Sequence, residues 1–272
     1  MGAELFELEL YGGGMERRYR RMRPEVEAMP WGTLDLSGIS EEQLVSGRRA
    51  WTGAAFQEHR TAIACAATLR ALIECRAPVD LIGVASRFPL DEMVHVELCA
   101  RMAMELGGGT EIVHDPDAMV LDADPSTPPL LRAAELAVRF FCVGEALSIP
   151  LLRGTWKAAK HPLPRAVLGR IVRDEASHGT FGFAFLDWAD DKLTDADRAH
   201  LSRHARMATD AIEAQWADIR KRHRERPPRT DTAGEALAWM ESSAYLALAK
   251  RSMDDKVLAP LRERGIDPTT AA

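Results

Sequence analysis

Cysteine is scarce in this chain and badly spaced for chemistry. The four cysteines, Cys65, Cys75, Cys99 and Cys142, form no C-x-x-C pair, which disfavours a rubredoxin-type iron site, a zinc ribbon and a thioredoxin-like motif. They are expected to be reduced thiols. Cys65, Cys99 and Cys142 fall on apolar helical faces and read as small hydrophobes. No run of about 20 apolar residues occurs, so no spanning helix is expected. The first ten residues, "MGAELFELEL", are acidic where a secretory leader is basic, and a cytoplasmic location is expected. An excess of positive charge is missing too: the net charge is −6 and the pI is near 5.8, which argues against a nucleic-acid surface. The two basic runs, "ERRYRRMR" (16–23) and "RKRHRER" (220–226), read as solvated faces or helix ends.

What is present is helix. The 272 residues, 46% hydrophobic and 28% charged, suffice for one large core. Residues 1–40, with "YGGG", "RPEVEAMPWG" and an alternating "ELFELELY", are expected to form an extended N-terminal arm or one strand. The capping-box signature "SEEQ" (40–43) opens a helix predicted to run to about Cys75. A second helix follows Pro78 and ends at the glycines 107–109. The stretch 107–128, rich in Gly, Asp and Pro, reads as a long crossover between helices 2 and 3. A third helix runs to His161 and a fourth covers about 164–190; a helical hairpin, about 194–225 and 232–257 and broken by "RPPRTD", follows. The expected fold is all-α: a single helical domain over 41–262, with a four-helix body over 41–190 and extra C-terminal helices over about 194–257.

Each of the first four helices carries acid on its apolar stripe. Glu58 interrupts the stripe of Trp51, Ala55, Ala62, Cys65 and Leu72; Glu92 and His95 interrupt that of Phe88, Cys99 and Met102. Glu145 lies among Val138, Phe141, Cys142 and Ile149, and Glu175 and His178 lie among Ile171, Val172, Gly182 and Phe185. A buried carboxylate without a partner costs several kcal/mol or more, so these positions call for cations, protons or hydrogen bonds. A Glu and a His three residues apart share a helical face and can aim at one point. Four carboxylates and two neutral imidazoles carry a formal charge of −4, which offsets two divalent cations in an oxygen and nitrogen set suited to iron or manganese. Glu-x-x-His alone is weak: "EIVH" (111–114) matches too, but lies in the crossover. The stronger signal is the doubled "DEMVH" (91–95) and "DEASH" (174–178), with a lone Glu 34 residues upstream in one half and 30 in the other. Glu58 is the least secure of the six, flanked by Gln57 and His59, and Glu135 is the fallback for Glu145.

On these motifs, residues 41–190 resemble the ferritin-like dinuclear-metal carboxylate proteins, whose four-helix bundles hold a di-iron or di-manganese site. The resemblance implies metal ligation by Glu58, Glu92, His95, Glu145, Glu175 and His178. It also implies that Asp91 and Asp174 hydrogen-bond the histidine ligands and fix their tautomer. If the halves face each other, Asp91 pairs with His178 and Asp174 with His95. Departures narrow the family. Only Tyr11, Tyr19 and Tyr245 exist, and none lies near a motif, against a tyrosyl-radical ribonucleotide reductase subunit. The cysteine spacing excludes a rubrerythrin-type second iron site. Storage ferritins are shorter and lack the C-terminal hairpin. Multicomponent monooxygenases carry a threonine where this chain has Ile149, and arylamine N-oxygenases carry a histidine where it has Ile171. A stand-alone non-haem di-iron oxygenase or oxidase is expected, using two Fe ions and O₂ to hydroxylate or N-oxygenate a small organic substrate. Its walls are expected one turn from the ligands, at Ala62, Cys99, Phe141, Ile149 and Phe181. No flavin or cysteine-cluster motif is visible, so an external electron donor is expected; a homodimer is allowed. The alternatives are a di-manganese catalase with two Mn ions, a ferroxidase, and a ferritin-like scaffold or tRNA-contacting protein. Pro89 and Pro150 are expected to bend helices 2 and 3 near the site, or to shape the bundle ends.

Overall fold

A computed structural model describes residues 2–121, 124, 126–225, 240 and 242–269. The arm is less extended than its alternation suggests. Strand β1, Glu4–Leu5, pairs antiparallel with β2, Val113–His114, and the alternation beyond Leu5 forms no further strand. Helices α1 (Gly13–Arg21) and α2 (Pro24–Glu27) follow. Most of "ERRYRRMR" is on the surface, but Arg23 is only 1% exposed, held by Glu27 and Glu97 and laid over the Tyr19 ring. The arm is thereby tied to the body.

Helix α3, Glu41–Glu74, starts at the expected capping box: Ser40 Oγ accepts from the Gln43 amide and Gln43 Oε1 from the Ser40 amide. It stops where Arg76 takes a left-handed φ of 55° ahead of Pro78, which cannot continue a helix. The expected second helix is two. Helix α4, Val79–Ala85, gives way to α5, Phe88–Glu105, and Pro89 lies in the first turn of α5 rather than in a bend. A first-turn amide has no acceptor within the helix, so a proline there loses nothing.

The third helix is composite. Helix α6, Pro129–Leu136, runs into a π-helical segment, Ala137–Glu145, and then α7, Ala146–Ala158, which holds Pro150. The long fourth helix, α8, is Pro162–Ala189, and α9 is Asp195–Glu225. Helix α10, Ser242–Ser252, continues through π-helical Met253–Leu258 into α11, Ala259–Glu263. The "RPPRTD" break, the first part of the predicted 232–257 helix and the side chains of 222–226 in "RKRHRER" lie outside the described residues. Among the described residues no helix is long and apolar enough to cross a membrane.

Among the described residues the fold is all-α apart from that short pairing, and its long helices contact in a ring: α3 lies on α5, α5 on α8, α8 on the π segment and α7, and α6 on α3. Two apolar cores result. Along α5, Phe88 belongs to one and Leu98 to the other; along α8, Phe185 and Ile171 are divided the same way. The acidic interruptions fall between the two. Close approach there depends on Gly182, where an added methyl would sit 2.8 Å from Phe141 Cβ and 2.9 Å from the Cys142 amide nitrogen.

Candidate metal centre

Four helical segments deliver six ligand-type side chains to one place: Glu58 from α3, Glu92 and His95 from α5, Glu145 from the end of the π segment, and Glu175 and His178 from α8. Glu92, His95 and His178 are fully buried, Glu175 and Glu145 nearly so, and Glu58 is half-buried. They form two interlocking sets, Glu58, Glu92, His95 and Glu175, and Glu92, Glu145, Glu175 and His178, each with donor atoms within 4.8 Å of one another. Glu92 reaches both histidines, Oε1 lying 3.0 Å from His178 Nδ1 and Oε2 3.6 Å from His95 Nδ1. Glu175 does the same, at 3.2 Å from His95 Nδ1 and 3.1 Å from His178 Nδ1. Glu58 Oε2 serves the His95 side alone, at 3.7 Å. Glu145 joins the His178 side, its carboxylate accepting from Ser148 Oγ at 3.1 Å.

These residues fit a pair of metal ions. Both Glu92 oxygens, Glu175 Oε2, His95 Nδ1 and both His178 nitrogens are buried without a properly aligned hydrogen bond, a costly condition unless something else takes their lone pairs. Donors about 2.1 Å from one ion stand roughly 3 Å apart, which is the spacing found.

The electrostatics agree. Desolvation pushes Glu58 up to about 8, and burial with repulsion from Glu175 and Glu92 raises Glu145 well above its ordinary value. Burial opposes charge on the histidines, but Asp91, Glu175 and Glu92 push His178 up to about 12, and Asp174, Glu175, Glu58 and Glu92 raise His95. Burial likewise opposes charge on Glu92 and Glu175, yet the histidines outweigh it and hold both below their ordinary value. Glu58 and His178 therefore hold protons at pH 7 and the protonated forms of Glu145 and His95 are favoured, so cations must displace protons on binding. A raised pKa makes the proton the stronger competitor, so apparent metal affinity is expected to rise with pH through about 8, with proton release on binding. Calorimetry in two buffers of different ionisation enthalpy reads this directly. A heat independent of buffer would contradict it.

Behind the ligands, Asp174 Oδ2 lies 3.2 Å from His95 Nε2, and Asp91 Oδ2 lies 3.6 Å from His178 Nε2. The pairs cross between α5 and α8, the arrangement a two-fold repeat implies. Comparison with protein-family models, with curated proteins and with solved structures gives no match. The centre is defined by its own geometry.

That geometry adds two arginines that lie outside the Asp-Glu-x-x-His motifs. Arg87 Nε donates to both oxygens of Asp91, at 3.0 and 3.2 Å, and Arg170 Nε donates to Asp174 Oδ2 at 2.6 Å. Arg170 also pairs with Glu25 of α2. The sequence held this signal: Arg-x-x-x-Asp-Glu-x-x-His occurs as "RFPLDEMVH" (87–95) and as "RIVRDEASH" (170–178). Of the expected walls, Ala62, Cys99, Phe141 and Phe181 are buried and Ile149 is half-buried. Phe141 and Phe181 close a triangle with Phe88, with centroids 5.2 to 5.5 Å apart, and the Phe88 ring lies 4.1 Å from His178. Ile149 presses on Gly179, where a methyl would collide with its Cδ1. His59 turns away toward Phe6, Glu135 pairs with His200, and His114 packs on Phe56 with Glu111 exposed at the surface.

Proposed function

We propose that this chain is a non-haem di-iron enzyme that activates O₂ to hydroxylate or N-oxygenate a small organic substrate, on a ferritin-like four-helix bundle built from α3, α4 with α5, α6 through α7, and α8. One observation carries the reading: Glu92 and Glu175 each face both histidines, while Glu58 and Glu145 each serve one side. Two such spanning carboxylates between two Glu and His pairs make a dinuclear ligand set. When bound, the two irons supply the reduction of O₂ and the oxidising power. The protein's residues do the rest. Glu92 and Glu175 would help to hold both ions, and Asp174 orients the His95 ring. Phe88, Phe141 and Phe181 keep water from the His178 side. Electrons come from an external donor.

A second reading, a di-manganese catalase or a ferroxidase, draws on the aromatic triangle and on Ile149 against Gly179. Both fill space beside His178, and peroxide or an iron ion needs only a narrow path. Metal analysis of protein grown in iron-supplemented and in manganese-supplemented medium decides between them, with activity measured on each form. About two irons per chain with reductant-dependent O₂ uptake is the expected result. Peroxide disproportionation by the manganese form alone would favour the second reading. Finding no metal under either condition would remove both.

A further inference from the structure

A second group of ligand-type side chains lies outside the buried centre. Helix α9 carries His200 and His204 four residues apart, hence on one face one turn apart. Their rings lie 4.5 Å apart between centroids, with planes tilted by 37°. Glu135, near the end of α6, faces both: its Oε1 is 2.5 Å from His200 Nε2 and 3.8 Å from His204 Nε2. One carboxylate oxygen thus satisfies one imidazole and leaves the other beyond hydrogen-bond reach. His204 Nδ1, at the back of its ring, is buried with no partner. All three residues are half-buried, and one donor atom from each lies within 4.8 Å of the others.

We propose that Glu135, His200 and His204 bind a single divalent transition-metal ion, with Zn²⁺ the best match, in a three-ligand site that leaves one position open to solvent. Two imidazoles from an i, i+4 pair and one carboxylate from a neighbouring helix form a two-nitrogen, one-oxygen set suited to zinc, and three protein ligands leave a tetrahedral ion one free corner. Neutral imidazole is the ligand form. His204 is held toward it by burial and by the nearby His200, Arg139 and Arg203, against the pull of Glu135. The Arg203 guanidinium lies 3.3 Å from His200 Nδ1. Arg203 is exposed, so it can swing outward when that nitrogen carries the proton. The ion joins α6 to α9 and so fastens the added helices to the segment that leads, through the π-helical turns, to Glu145. The site shares no residue with the buried centre, and either can fail without the other.

Zn²⁺ is titrated into the full chain carrying Glu92→Ala and Glu175→Ala, which disables the buried centre, and into the same chain with His204→Ala added. The first is expected to bind about one Zn²⁺ per chain, and the second to bind more than about a hundredfold more weakly, since a ligand and not merely its orienting partner is lost. Ring ¹⁵N resonances of His200 and His204 in the unmodified chain, assigned with His200→Gln and His204→Gln, give the same answer without disturbing the buried carboxylates. Both should move to the metal-bound range on adding Zn²⁺. Resonances that stay in place at saturating Zn²⁺, or equal affinity with and without His204, overturn the proposal.

Discussion

Glu175→Ala is expected to cost the protein both of the proposed buried metal ions, not one. The carboxylate stands 3.2 Å from one histidine and 3.1 Å from the other, so its loss removes a donor from both positions. It also leaves His95 and His178, pushed toward the charged form in part by that carboxylate, less able to neutralise Glu92. Metal analysis after dialysis should fall from about two ions per chain to well below one. His178→Ala should lose the ion on the Glu145 side and keep more of the other. Glu111→Ala and His114→Ala are the controls, since Glu111 is exposed and His114 packs on Phe6 and Phe56. Equal metal content in Glu175→Ala and Glu111→Ala would dismiss the assignment.

The second large effect is expected from Asp174→Ala, and it should exceed that of Asp91→Ala despite the matching motifs. Asp174 Oδ2 accepts from Arg170 and lies 3.2 Å from His95 Nε2, and its partner Arg170 has a side chain only 9% exposed. Its removal releases the His95 ring and leaves a buried guanidinium with Glu25 alone. Affinity should drop by roughly 10- to 100-fold, and a few kcal/mol of stability should go with it. Asp91 is 3.6 Å from His178, and its Arg87 is 65% exposed, so water replaces more of what is lost. Asp174→Asn keeps an acceptor in place and should retain more metal than Asp174→Ala. Equal losses at the two aspartates, read by competition with a chromophoric chelator and by thermal melting, would show that burial of the arginine does not matter.

The periodicity of apolar residues located the four helical segments and placed the six ligand-type residues on their inner faces, because a carboxylate among Phe, Val and Ile at helical spacing has few alternatives. Three features escaped it. The split at Ser86–Arg87 leaves no distinct mark, because a proline at position 89 fits a bend, a bundle end and a first turn equally well. The π-helical winding of Ala137–Glu145 left no mark in composition. Its apolar residues fit an α-helical stripe, and the close contact at Gly182 that goes with it is made by residues distant in sequence. The arm's glycines and alternation suggest extended chain, and the contacts that order it, Arg23 with Glu97 and Glu25 with Arg170, join charges too far apart along the chain for a local pattern to show. The arginines before each Asp-Glu were visible all along, but a positive charge near two acids reads as a surface ion pair until burial is known.

Those arginines make the two halves of the centre unlike. Both halves carry the same nine-residue pattern, yet α2 of the arm lies over Arg170 while Arg87 faces water. On one flank the aspartate meets a buried guanidinium that pairs with Glu25 of the arm; on the other it meets an exposed one, which also comes within 3.9 Å of Asp174. The two halves thus share one motif and differ in how its arginine is anchored, one to the arm and one to the surface.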